Sequence, residues 1–224
     1  MKPVSKISLR TFISCILLSF PLPSHSKIRI LCTAALIPNQ YELRKTEYID
    51  SLKKITQFGY PSYVVESCVQ GPTFLDYYAT HVFYAQTNNP TLRNKGINEA
   101  LSMLACFSFF QFDDDDMIVK LTGRYCFHSD KFLKCVERNQ NIDIFIKKFD
   151  DGQIFTGCFA MRYKYLKHML EQIDYSRMEK NMINLEQEAA HYIAHLKNVS
   201  LLEINHFDLK VNFFGTGICQ LMEF

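Results

Sequence analysis

The stretch Asp116-Met117-Ile118-Val119-Lys120-Leu121-Thr122-Gly123-Arg124-Tyr125 passes from an acidic start, through apolar and partly β-branched residues, to a polar close. Met117 to Leu121, with a glycine just beyond, predicts a buried strand. In an open α/β sheet, ligands collect beyond the carboxyl ends of the strands. Thr122, Gly123 and Arg124 therefore fall at the ligand edge. They offer a hydroxyl, a glycine that lets backbone approach closely, and a guanidinium suited to phosphate. Lys120 alternates with its neighbours and faces either the site or a helix layer. The plainer reading of the same residues is a strand, a turn and one solvated arginine. Asp113 to Asp116 come before the strand, at its amino end, and predict a solvated acidic loop rather than a metal site.

Upstream, Lys27 to Ile37 reads as a first buried strand and Tyr41 to Phe58 as an amphipathic helix stopped by Gly59-Tyr60-Pro61. Ser62 to Cys68 and His81 to Gln86 read as two further strands, with a turn or short helix at Gly71 to Asp76 between them. Strand, helix, strand at this spacing predicts a parallel sheet with crossover helices. A polar loop from Thr87 then enters a helix over Ile97 to Phe110. Arg93, Asn94 and Lys95 stand at its start, where unpaired N–H groups favour an anion. Downstream come a helix over Ser129 to Arg138 and a strand over Ile142 to Lys148. The turn Asp150-Asp151-Gly152 leads into Gln153 to Met161. Helices follow over Tyr163 to Ile173 and Asn184 to Leu196, then strands over Val199 to Ile204 and Leu209 to Phe213. No repeat or linker interrupts the chain, so residues 27–224 are expected to form a single α/β domain with a mostly parallel central sheet flanked by helices.

The chain has 224 residues and a formal net charge of +2, which gives no basic field for nucleic acid. Its eight cysteines form no Cys-x-x-Cys pair. Cys32, Cys106 and Cys158 lie inside apolar runs, as small buried thiols do. Residues 1–26 have the pattern of a targeting segment: Lys2, Lys6 and Arg10, an apolar run from Phe12 to Phe20, then Pro21, Pro23 and small residues at Ser24 and Ser26. The apolar run is shorter than the ~20 residues that span a bilayer. A cleaved signal would send the chain to the secretory pathway, periplasm or envelope, with peripheral membrane association open to it. Without cleavage the expectation is cytoplasmic.

Three segments stand together: Asn94-Lys95-Gly96-Ile97-Asn98-Glu99-Ala100, Met117 to Tyr125, and Phe155-Thr156-Gly157-Cys158-Phe159-Ala160-Met161-Arg162. As a set they resemble bacterial GT-A-like glycosyltransferases related to capsule and lipopolysaccharide sugar transferases. The resemblance implies a nucleotide-sugar donor over the early strands and a glycan or glycolipid acceptor on the side built by later segments. On this reading Arg93, Asn94, Lys95, Lys120, Thr122, Gly123 and Arg124 hold the donor. Typical GT-A enzymes carry an Asp-x-Asp that binds Mn²⁺ or Mg²⁺ on the diphosphate, but the equivalent position here reads Thr122-Gly123-Arg124. This departure points away from a metal-dependent transfer, since arginine can bind two phosphate oxygens at once. A non-catalytic nucleotide-sugar or glycan-binding protein of the same fold is the alternative.

An inverting transfer needs a carboxylate to accept the acceptor's proton. Glu186 and Glu188 are the candidates; two apart on a helix, they cannot share one face. His191 and His195 have helical metal-ligand spacing but lack the His-Glu-x-x-His order, and a packed or surface pair is expected.

Overall fold

A computed structural model describes residues 27–213 and 220–223; the expected leader, residues 1–26, lies outside the described residues. The first half of the chain forms β1 (Ile28–Ala34), α1 (Tyr41–Gln57), β2 (Ser62–Glu66), α2 (Leu75–Tyr78), β3 (His81–Tyr84), α3 (Lys95–Phe107) and β4 (Met117–Thr122). It continues with β5 (Cys126–Phe127), α4 (Lys131–Arg138), β6 (Ile144–Ile146), β7 (Cys158–Arg162), α5 (Tyr163–Gln172), α6 (Tyr175–Asn181) and α7 (Leu185–His195). The short strands β8 (Leu201–Glu203), β9 (Leu209–Phe213) and β10 (Gln220–Glu223) complete the described elements. Among these, no helix is long and apolar enough to cross a membrane.

The main sheet has seven strands in the order β3-β2-β1-β4-β7-β6-β8. The β3, β2, β1 and β4 strands run parallel to one another, and β7 pairs antiparallel with both β4 and β6. The chain winds from β1 outward through β2 to β3, then returns through α3 to the opposite side of β1. This reversal opens a crevice at the carboxyl ends of β1 and β4, the place where such sheets bind ligands.

Alternation along the strands divides the core between two layers. Ile30, Cys32, Val119 and Leu121 pack with Tyr48 and Leu52 of α1 and Phe132 of α4. Leu31, Ile118, Phe159 and Met161 pack with Met103 of α3 and Leu166 of α5. The helix starts follow from capping. The Asn94 side chain accepts the Gly96 N–H at α3, and Asn184 with Gln187 forms a reciprocal capping box at α7. Accordingly α3 begins at Lys95, ahead of the expected Ile97. Gly59, at φ 83°, takes the left-handed conformation that ends α1.

The structure adds to the sequence reading and departs from it. The segment Gln153 to Met161, read as one piece after the Asp150-Asp151-Gly152 turn, divides: β7 begins at Cys158, while Thr156 accepts from Lys120 and Gly157 from the Thr122 N–H. A separate antiparallel sheet, β10-β9-β5, brings Leu209 and Val211 into the core beside Phe127. Asp116 is buried, not solvated, where it pairs with Arg29 at 3.2 Å and accepts the Lys27 and Asp113 N–H groups. The run Asp113 to Asp115 is exposed as expected. Cys32, Cys106 and Cys158 are buried free thiols.

Candidate active site

Period-two alternation places Lys120 and Thr122 on the same face of β4, beneath α3. The parallel register then sets Thr33 of β1 beside Thr122. Lys120 is fully buried, and a buried ammonium is tolerated only when paired and hydrogen-bonded. It donates to Glu99 Oε1 at 2.6 Å, the Thr156 carbonyl at 2.7 Å and Thr122 Oγ1 at 2.9 Å. An ammonium has three N–H donors, and all three are committed within the protein. Lys120 does not line the cleft; it stands behind Glu99 and Thr122. Glu99 Oε1 also accepts from the Thr33 hydroxyl at 2.6 Å and, more weakly, from the Thr122 hydroxyl at 3.5 Å. Burial works to raise the Glu99 carboxyl, but Lys120 and the two hydroxyls outweigh it and hold the group below the usual carboxylate range.

Thr33, Glu99 and Thr122 line a cleft of 230 Å³ at the switch point, together with Arg44 and Tyr48 of α1, Lys95 and Arg124. Arg44 donates to the Ala35 carbonyl at 2.5 Å, and the Tyr48 hydroxyl accepts the Ala35 N–H at 2.9 Å. Desolvation pushes the Tyr48 phenol up to about 12, so it stays a neutral hydrogen-bonding wall. Glu66, buried at the end of β2, accepts the N–H groups of Leu36, Cys68 and Val69 and so fixes both loops above the cleft. Burial raises its carboxyl against those donors. Gly123 donates its N–H to the Thr33 carbonyl at 2.9 Å, and a Cβ there would sit 3.0 Å from that oxygen and from the Tyr48 ring. The close approach explains the glycine.

The other sequence candidates divide. Lys95 lines the cleft but donates to the Pro90 and Leu92 carbonyls at 3.3 and 2.6 Å. The start of α3 already has its anion. The Glu179 carboxylate accepts the backbone N–H groups of Arg93 and Asn94, both at 3.0 Å, and those donors hold it below the usual range. Arg93 also pairs with Glu179, while the Asn94 amide bonds the Met178 and Ile183 carbonyls. Both residues tie α3 to the α6 region and do not line the cleft. Glu186 reaches Thr156, whose hydroxyl it accepts at 2.5 Å, so it lies one residue from Lys120. Glu188 turns away and pairs with Arg177 of α6. His191 and His195 border a separate 440 Å³ groove between α5, α6 and α7. Among the described residues no group of three His, Cys, Asp or Glu side chains could hold a metal ion.

Sequence reasoning gave no part to Thr33, Arg44 or Glu99. The signal for Glu99 was a lysine inside an otherwise apolar strand, which demands a carboxylate from the helix covering it.

Among solved structures the chain resembles a cytidylyltransferase from Leptospira borgpetersenii serovar Hardjo-bovis, with a TM-score of 0.51 and 14% identity, covering 82% of this chain and 78% of that one. It also resembles a 4-diphosphocytidyl-2C-methyl-D-erythritol synthase, at TM-score 0.51 and 17% identity, covering 83% and 92%. The fold is GT-A-like. A glycosyltransferase involved in glycosylating the major capsid of PBCV-1 aligns at TM-score 0.49 and 12% identity, over 80% and 81%. At these identities the likeness is one of fold. No protein-family model and no curated protein matches the chain.

The divalent ion that a GT-A-like fold implies does not fit the side chains present. Mg²⁺ and similar ions take carboxylate oxygens. Among the described residues lining this cleft, Glu99 is the lone carboxylate, and an ammonium already stands 2.6 Å from it. A second cation there would meet that charge at short range.

Proposed function

We propose that this chain is a glycosyltransferase that moves a sugar from a nucleotide-sugar donor to a glycan or envelope acceptor without a divalent metal. The observation that carries the reading is the cleft at the switch point, which Arg44, Lys95 and Arg124 line with one ion-paired carboxylate among the described residues. The diphosphate lies against these cations. Arg124 has the planar fork that matches two phosphate oxygens, and its charge persists at every working pH. In an inverting transfer, the acceptor hydroxyl oxygen bonds to the sugar's anomeric carbon as the bond to the diphosphate breaks. The leaving diphosphate gathers charge beside the guanidinium, and the hydroxyl proton passes to a carboxylate. Glu186 is our candidate for that base. Glu99 is tied to Lys120, and Glu188 is buried against Arg177 and does not line the cleft.

The non-catalytic alternative draws on one observation: the Glu186 carboxylate is bonded to Thr156 and does not line the cleft. Turnover measurements with a panel of nucleotide sugars separate the two. Glu186→Gln should lower turnover on the order of 10²-fold while donor affinity holds. Glu188→Gln should keep turnover and lower stability by about 2 kcal/mol, through loss of a charge-assisted bond. Parental rates in Glu186→Gln would remove the base assignment. Donor binding without any turnover in the parent protein would favour the alternative.

A further inference from the structure

Glu99 is the cleft's lone lining carboxylate among the described residues, and its chemistry is opposite to that of its neighbours. Arg44, Lys95 and Arg124 attract phosphate; an ionised carboxylate repels it and accepts hydrogen bonds only from donors. Three donors converge on one oxygen, Oε1: the Lys120 ammonium and the Thr33 and Thr122 hydroxyls. They fix the side chain in place, so little freedom is lost when a ligand docks. Exposure decides which member of the ion pair a ligand can touch: the Glu99 side chain is 27% exposed and that of Lys120 is 0%.

We propose that Glu99 is a specificity-determining residue, whose second oxygen, Oε2, accepts a hydrogen bond from a ring hydroxyl of the bound nucleotide sugar. The assignment rests on the nucleotide-sugar reading above and deepens it. Phosphates lie at the arginines, and a sugar ring lies at the Glu99–Lys120 pair on the α3 side of the switch point. The chemistry selects a ring hydroxyl donor, which either the ribose or the transferred sugar carries.

Two affinity comparisons on the same protein distinguish these sources. One sets ADP, GDP, CDP and UDP each against its 2′-deoxy and 3′-deoxy forms. The other sets UDP-glucose, GDP-mannose and ADP-glucose each against the matching diphosphate. In the parent protein at least one comparison should show a preference of about ten- to a hundred-fold for the ligand with the hydroxyls, as expected for a bond to a charged acceptor. Glu99→Leu combined with Lys120→Met removes both charges of the pair and should abolish that preference. Glu99→Asp keeps the charge, shortens the reach, and should weaken it. Loss in the deoxynucleotide comparison assigns the ribose, and loss in the sugar comparison assigns the transferred ring. No preference in the parent, or the same preference in all three proteins, overturns the Glu99 assignment alone. Failure of every diphosphate and nucleotide sugar to bind the parent overturns the nucleotide-sugar reading, and this assignment with it.

Discussion

A lysine ammonium stripped of water costs several kcal/mol unless its partners replace the lost contacts, and at Lys120 three of them do. Lys120→Met alone strands the Glu99 carboxylate, and we expect it to lose ~3–5 kcal/mol in denaturant unfolding. Adding Glu99→Leu should recover most of that loss. The pair also sets an acid dependence. Glu99 in the folded protein sits below its ordinary value of 4.5, so its stabilisation is present above that value. As pH falls, the unfolded chain binds a proton that folded Glu99 refuses, and stability drops as pH passes down through the folded pKa. The double variant should lose less stability than the parent between neutral pH and pH about 4. Equal acid slopes, or a harmless Lys120→Met, would show that the pair contributes little. Sequence alone left Lys120 with two directions to point. Alternation gives its face but not which helix covers that face; the helix turns out to be α3, which carries Glu99 and precedes β4 across one loop.

At the scale of elements, the antiparallel pairing of β7 with β4 shapes the surroundings of Thr122. The pairing puts the loop before Cys158 beside Thr122, where the Gly157 carbonyl takes the Thr122 N–H at 2.8 Å. A Cβ on Gly157 would come within 2.3 Å of the Tyr125 ring and 2.6 Å of the Phe155 ring, which stack at 5.9 Å. Gly157→Ala should therefore cost roughly 1–3 kcal/mol, the usual range for overpacking, read from urea denaturation. A change within about 0.5 kcal/mol would mean the rings yield freely. Elements with clear runs were legible: α1 through its apolar spacing, and α5 and α7 within the helices expected over Tyr163 to Ile173 and Asn184 to Leu196. The rest lacked such signals. Helix α6 buries only Met178 among its residues, and β5 is two residues long. Nothing in the sequence marks that Gln153 to Met161 divides, with β7 starting only at Cys158, because the carbonyls of Thr156 and Gly157 serve Lys120 and Thr122, a demand made from elsewhere in the chain.

The whole molecule is a sheet whose winding reverses at β1, and the cleft is a consequence of that reversal. The parallel sheet and its ligand edge were legible, because strand and helix alternate early in the chain and Met117 to Leu121 is apolar but for Lys120; the strand order that reverses at β1 was not. The second sheet was not, since it joins Cys126 to Lys210 across most of the second half. Nor was the fate of Arg93 and Asn94, which the Glu179 carboxylate of α6 claims. The central claim is that fixed side chains, not a metal, hold a nucleoside diphosphate at the switch point. Calorimetric titration of a nucleoside diphosphate and its bare nucleoside, in chelator and then with Mn²⁺ or Mg²⁺, into the parent and Arg124→Ala, tests it most directly. The account predicts diphosphate binding that is indifferent to chelator and metal. In Arg124→Ala, affinity for the diphosphate should fall by about ten- to a hundred-fold while the nucleoside is unaffected. Binding abolished by chelator and restored by Mn²⁺, or diphosphate affinity unchanged in Arg124→Ala, would contradict it.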